Sequence, residues 1–281
     1  MTFNDDMLTE EYFDLYSKLK ERGELYSVGA DLPKAIIKYY FNRRVEFDLT
    51  SKDFIEEYID NETRIEESTH IKEDREGLRE MYYFAINPEN DSDFNIYTLK
   101  DYHRLLFSKN PHPEYAGEFR NQTVVIKGAP INLTPYEFIY SDLLSISPEI
   151  DEAYERSKSL HEEKDPNALI DFINDVSVIG AKLIKIHPFR DGNGRTIRCF
   201  INKLFISAGL PAVYLLEEEK YNYRKAMEKA IGDEGDFEPI KDFYLYKICD
   251  SIIKLKIEPW KEMQKKLKEM QDEKAHTGRK R

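Results

Sequence analysis

Over long stretches of the chain, apolar residues recur at intervals of three and four. Leu169, Phe172, Ile173, Val176, Ile179, Leu183 and Ile186 follow that spacing and predict an amphipathic helix. Ile197, Phe200, Ile201, Leu204 and Phe205 predict a second, which "SAGLP" ends through Gly209 and Pro211. The chain up to about residue 75 is rich in acids and aromatics and also reads as helical. Phe54, Ile55 and Tyr58 share one side of their helix there and predict packing onto the main body. One stretch departs from the pattern. "FRNQTVVIKGAPINLTPYEF" holds the β-branched run Thr123, Val124, Val125 and Ile126, then Gly128 and two prolines, which predicts a small hairpin or an extended flap. The fold class is therefore mostly α with a small β-hairpin. It divides into a helical N-terminal region at 1–90, a core domain at 91–255 and a tail at 256–281. The tail ends in "KEMQKKLKEMQDEKAHTGRKR", charged and poor in apolar residues, and reads as a solvated helix end fraying into disorder.

Composition narrows the classes of function. At 281 residues the chain can bury a substantial core. A formal net charge of −12 opposes general binding to nucleic acid, whose phosphates it would repel, but permits a local basic pocket. The two cysteines, Cys199 and Cys249, lie in apolar helical segments without CxxC spacing and read as reduced core thiols. "MTFNDDMLTEEYF" is acidic where a signal peptide would be basic, and no apolar run reaches the roughly 18–20 residues that span a bilayer. A cytoplasmic protein without membrane association is expected.

The chemistry concentrates between the two predicted helices, in "IHPFRDGNGRTIR" (Ile186 to Arg198). Gly192 and Gly194 allow positive φ and close approach of a ligand to bare backbone. Amides there, with the positive end of the following helix, would form an anion hole. Arg195 and Arg198 lie one turn apart at a helix start, where the dipole disfavours cations, so a bound polyanion would account for them. Asp191 offers a hard oxygen for Mg²⁺. His187 is the loop's one group that exchanges a proton near neutrality, and Phe189 is expected to anchor the loop in the core. Together these groups point to nucleotidyl or phosphoryl transfer to a hydroxyl.

The same string resembles the signature of the Fic (Fido) family, H-x-F-x-[D/E]-G-N-G-R-x-x-R, at every specified position. "YTLKDYHRLLF" resembles the helix that opens the family's core, and "GEFRNQTVVIKG" its flap hairpin. "YNYRKAMEKA" resembles the following Tyr-x-x-Ala-Leu helix, with Met227 in place of Leu. The resemblance implies a Fic helical fold and transfer of AMP from Mg-ATP to a Ser, Thr or Tyr hydroxyl of a target protein, the chain itself included. Relatives that transfer UMP or phosphocholine keep the same fold, and a non-catalytic ATP-sensing module is a further alternative. Gly194 departs from the phosphate-transferring Doc type, which has Lys there. By resemblance His187 is the general base and Asp191 the ligand of Mg²⁺, for which Mn²⁺ could substitute. Gly192, Asn193 and Gly194 are the anion hole, with Asn193 adding a side-chain donor. Arg195 and Arg198 hold the distal phosphates, Arg198 reaching the γ-phosphate. Residues 123–126 position the target by strand addition. Tyr223 matches the family position near the adenine, a plain core tyrosine being the alternative.

The resemblance also implies a lock. Many Fic proteins carry an inhibitory helix with the pattern [S/T]-x-x-x-E-[G/N], and "ETRIEEST" aligns Glu66 with its glutamate. Glu62 replaces the first Ser/Thr, and Glu67 replaces Gly or Asn. In that alignment Glu66 pairs with Arg198 and denies the γ-phosphate its partner. The same site would then also be suited to removing AMP, with Glu66 positioning water. A homodimer burying the N-terminal helix is expected as well.

Overall fold

The computed structural model describes residues 10–27, 29–42, 46–66, 70–90, 94–111, 113–126, 131–163 and 165–257. Gly128, Glu67 and all but the first two residues of the tail lie outside these. Helices α1 (Glu10–Glu21), α2 (Asp31–Asn42), α3 (Lys52–Ile65) and α4 (Ile71–Ile86) form the N-terminal region. They are followed by α5 (Thr98–Leu106), α6 (Ile139–Glu163), α7 (Pro166–Ile186), α8 (Asn193–Ser207), α9 (Lys220–Ile231) and α10 (Glu238–Ile252). No described helix is long and apolar enough to cross a membrane.

Helix α7 is the axis of the molecule, with α6, α8 and α10 packed along it. Its predicted apolar face is buried, and so are Ile170, Ala181 and Ile184 beside it, because neighbours enclose the helix on several sides. Asp165 caps its start by accepting from the Asn167 N–H at 3.0 Å, and Pro166 occupies the first turn. The N-terminal helices share the same core. Phe54, Ile55 and Tyr58 of α3 are buried, Tyr58 packing on Tyr82 of α4 and, like Phe54, on Tyr214. Gly77 brings α4 onto α5 so closely that a β-carbon would collide with the Leu106 carbonyl. Helix α4 also packs on α8. This stack sets the C-terminal end of α3 over the start of α8.

The expected hairpin is not formed among the described residues. Thr123 to Ile126 belong to no strand, and Val125 is 84% exposed. In place of a ladder, one buried side chain ties the two legs together. Arg120 donates through Nη1 to the Gln122 carbonyl at 3.0 Å and through Nη2 to the Thr134 carbonyl at 2.5 Å. Side-chain bonds thus do at the base of the flap what backbone pairing would otherwise do. The same guanidinium reaches the end of α7, donating from Nε to the His187 carbonyl at 2.8 Å and from Nη2 to that of Ile186 at 3.3 Å. Arg120→Ala strands these carbonyls, and we expect a loss of about 3 kcal/mol of stability in urea unfolding, since bonds to charged groups contribute roughly 1.5–3 kcal/mol.

Candidate active site

Helix α7 ends at His187, whose φ of 50° makes it the one described non-glycine residue with a left-handed backbone. Such a conformation is costly for a side-chain-bearing residue, and strain of this kind concentrates at functional positions. The turn points the imidazole into a cleft. Its Nδ1 lies 3.3 Å from the Ile184 carbonyl, so in the neutral ring Nδ1 carries the proton and Nε2 is left as the acceptor. Burial, helped by the charge of Arg120, lowers the His187 pKa to about 4. The ring is therefore already a free base at neutrality. A reaction in which it takes a proton should hold its rate from pH 7 down to about 5 and fall by half near 4, rather than near the ordinary 6.5; a pH–rate profile measures this.

The loop after His187 is shaped from within. Asn193 accepts from the Phe189 N–H and donates to the Phe189 carbonyl, both at 2.8 Å. Its amide, 2% exposed, closes the loop rather than standing free as the expected phosphate donor. Phe189 is the expected core anchor, fully buried and stacked on His103 with ring centroids 3.9 Å apart. His103 was not singled out from sequence. Its Nδ1 accepts from the Gly117 N–H at 2.9 Å, so Nε2 carries the proton and donates to the Asp191 carbonyl at 3.0 Å. Gly192 has a φ of 72°, and a β-carbon there would sit 2.5 Å from the Phe107 ring. The first helical bond of α8 runs from the Thr196 N–H to the Gly192 carbonyl, leaving the amides of residues 193–195 before it at the positive end of the helix.

Asp191 is exposed, and its Oδ1 accepts from the Gly192 N–H at 2.7 Å. Among the described residues no group of three or more acidic, His or Cys side chains forms a self-sufficient metal cage. One exposed carboxylate suits Mg²⁺ arriving with substrate phosphates, since that ion is commonly held by one or two carboxylates and keeps much of its water.

The two arginines of α8 are both buried, and three carboxylates of the N-terminal region neutralise them. Arg195 pairs with Asp74 of α4, each nearly inaccessible, so its Nη1 is occupied within the chain rather than free for phosphate. Arg198 meets two carboxylates from α3 and its C-cap. Its Nε donates to Glu62 at 2.8 and 3.1 Å, and its Nη2 reaches Glu62 at 2.6 Å and Glu66 at 2.7 Å. The unfavourable placement of two cations at a helix start is thus offset by the protein's own anions. The expected Glu66–Arg198 pair is present; Glu62 and Asp74 were not foreseen as partners. The Glu66 oxygen also lies so close to Gly194 that a β-carbon there would collide with it, directly against the glycine cradle. Burial tends to raise its pKa, but Arg198, Arg195 and Lys220 outweigh it and hold the carboxyl below the ordinary value. At Glu62 burial prevails over Arg198 and the carboxyl is held above that value.

Glu66, Gly194, Arg198 and His187 line one cleft of about 140 Å³. Ile65, Ile126, Ile131 and Ile184 supply apolar wall, which brings the end of the flap to the site. Helix α9 closes the cleft with Lys220, Tyr223, Arg224 and Met227. Tyr223 is 8% exposed and packed on Phe243, as a core tyrosine would be, and it also lines the cleft. Lys220 and Arg224 carry no motif; their spacing of four on α9 is the signal that places them with Tyr223 and Met227.

Residues 93–205 match the Fic/DOC family. The chain is 30% identical over 167 residues to "Protein adenylyltransferase Fic" of Drosophila willistoni, covering 58% of this chain and 29% of that protein. To the protein of the same name in Aedes aegypti it is 31% identical over 166 residues, covering 58% and 30%. The chain thus spans less than a third of the length of these curated relatives. In structure it resembles Fic-1 (residues 134–508) of C. elegans with a TM-score of 0.62 at 19% identity, over 92% of this chain and 80% of that one. The last likeness is one of fold.

Proposed function

We propose that the chain, whose residues 93–205 match the Fic/DOC family, is a self-inhibited protein adenylyltransferase. It moves AMP from Mg-ATP to a Ser, Thr or Tyr hydroxyl of a protein, itself included, and releases pyrophosphate. One observation carries this reading: the Glu66 carboxylate lies against Gly194 and on Arg198 Nη2 at 2.7 Å, in the same cleft as the free-base His187. An anion already rests where the signature's arginine would hold a phosphate.

In the transfer, the target oxygen attacks the α-phosphorus while His187 Nε2 takes its proton. The new O–P bond forms as the bond to the β-phosphate breaks, and the electron pair leaves with pyrophosphate. Asp191 would hold Mg²⁺, or Mn²⁺ in its place, which when bound would supply charge neutralisation on the phosphates. The amides of residues 193–195 receive the phosphates at the positive end of α8, and the left-handed turn at Gly192, whose own N–H is taken by Asp191, sets their aim. With Nη1 of Arg195 taken by Asp74, Arg195 is assigned to the wall of that cradle, and Arg198 to the γ-phosphate. Tyr223 lies beside the base. Residues 123–126, free of a ladder within the described chain, accept a target strand by backbone pairing while Arg120 holds their base. Residues 91–255 then do the chemistry, and region 1–90 supplies the lock. Two buried free thiols, Cys199 and Cys249, suit a reducing compartment such as the cytoplasm.

Mass spectrometry of the Glu66→Gly chain incubated with Mg-ATP tests the transferred group. A mass gain of one AMP on a hydroxyl residue is expected. A gain of phosphate, or a gain seen only with UTP or a phosphocholine donor, would overturn the assignment of AMP.

A further inference from the structure

The two carboxylates on Arg198 stand in different surroundings. Glu66 caps α3, keeps 29% of its side chain exposed and lines the cleft. Glu62, one turn earlier, is completely withdrawn from solvent and is not among the cleft-lining residues. They also hold different parts of the guanidinium. Glu62 takes the inner edge, accepting from Nε at 2.8 and 3.1 Å and from Nη2 at 2.6 Å, whereas Glu66 accepts only from Nη2, at 2.7 Å. Nη1 faces Gly194 in the cradle. A phosphate entering the cleft therefore meets Glu66 and leaves Glu62 untouched.

We propose that Glu62 is a positioning residue for Arg198, and that Glu66 alone is the exchangeable anion. This rests on Arg198 being the γ-phosphate ligand. Glu62 Oε2 bridges Nε and Nη2 while Oε1 also reaches Nε, and this three-point hold fixes the plane of the guanidinium, so its outer nitrogens keep their aim when Glu66 is displaced. It also spares the molecule a bare buried cation once Glu66 has gone, a state that is strongly disfavoured. The Ser or Thr that the family pattern carries at this position has a shorter side chain and a neutral hydroxyl, without the charge that strengthens this grip.

The test compares Mg-ATP and Mg-ADP affinities in the Glu66→Gly chain, alone and combined with Arg198→Ala or Glu62→Gln. The preference for ATP over ADP reports contact with the γ-phosphate, and ADP binding reports a folded cleft. Arg198→Ala is expected to erase the preference. Glu62→Gln is expected to cut it about tenfold with ADP affinity unchanged, the scale of one charge-assisted bond. Should Glu62→Gln fail to bind ADP, Glu62→Ser serves in the same comparison. If Arg198→Ala erases the preference and the Glu62 variant retains it in full, Glu62 has no positioning role. If Arg198→Ala itself leaves the preference intact, the assignment of Arg198 fails, and the role of Glu62 with it.

Discussion

His187→Ala, placed in the Glu66→Gly background, should lower the rate of AMP transfer by about 10²- to 10⁴-fold, the range ascribed to a positioned general base. Mg-ATP affinity should stay within about threefold, because in the proposed reaction the imidazole meets the attacking hydroxyl and not the phosphates. Two features make the effect specific to this nitrogen. The left-handed turn at residue 187 aims the ring into the cleft, and the Ile184 carbonyl fixes Nδ1 as the protonated nitrogen. Single-turnover rates with ATP labelled at the α-phosphate, alongside equilibrium binding, separate the loss of chemistry from a loss of binding. Retained transfer would move the proton acceptor elsewhere.

Glu66→Gly carries the second large effect, of opposite sign. Removing its carboxylate frees Arg198 Nη2 and clears the rim of the glycine cradle in one step. One charge-assisted bond contributes roughly 1.5–3 kcal/mol, so a gain in transfer of about 10- to 100-fold is expected over the native sequence. The gain should be accompanied by a new preference for ATP over ADP, since only the triphosphate presents a γ-phosphate to the vacated nitrogen. Glu66→Gln keeps the side-chain volume but removes the charge, and should fall between the two. Because Arg198 and its neighbours hold the Glu66 carboxyl below its ordinary pKa, lowering the pH to 5 should not release the lock.

Features set by local spacing were readable from the chain itself. The three-and-four rhythm marks α7 and α8, the glycines and arginines mark the loop between them, and Glu66 stands out once that loop is seen to resemble the Fic signature. Partnerships formed by packing were not readable in this way. Asp74 lies 121 positions before Arg195, and Glu62 lies 136 before Arg198; no periodicity joins residues so far apart. Glu62 counted as a mismatch to the inhibitory pattern, yet the face of α3 that carries Glu66 also carries residue 62 four positions earlier, and both reach one guanidinium of α8. Arg120 lay in a string matched to the flap, where the β-branched run drew a hairpin; the fold replaces that ladder with a single buried side chain. His103 gave no signal beyond its place in a helix resembling the opening of the family's core, and its role emerges only from its contacts with Gly117, Phe189 and Asp191.

The central claim is that one guanidinium serves two anions in turn, the Glu66 carboxylate and the γ-phosphate of ATP. Its most direct measurement is the initial rate of α-phosphate label incorporation by the native chain and by Glu66→Gly, at equal protein and Mg-ATP. Competition for Arg198 predicts a rate at least about tenfold higher in the variant. Equal rates in the two would contradict it.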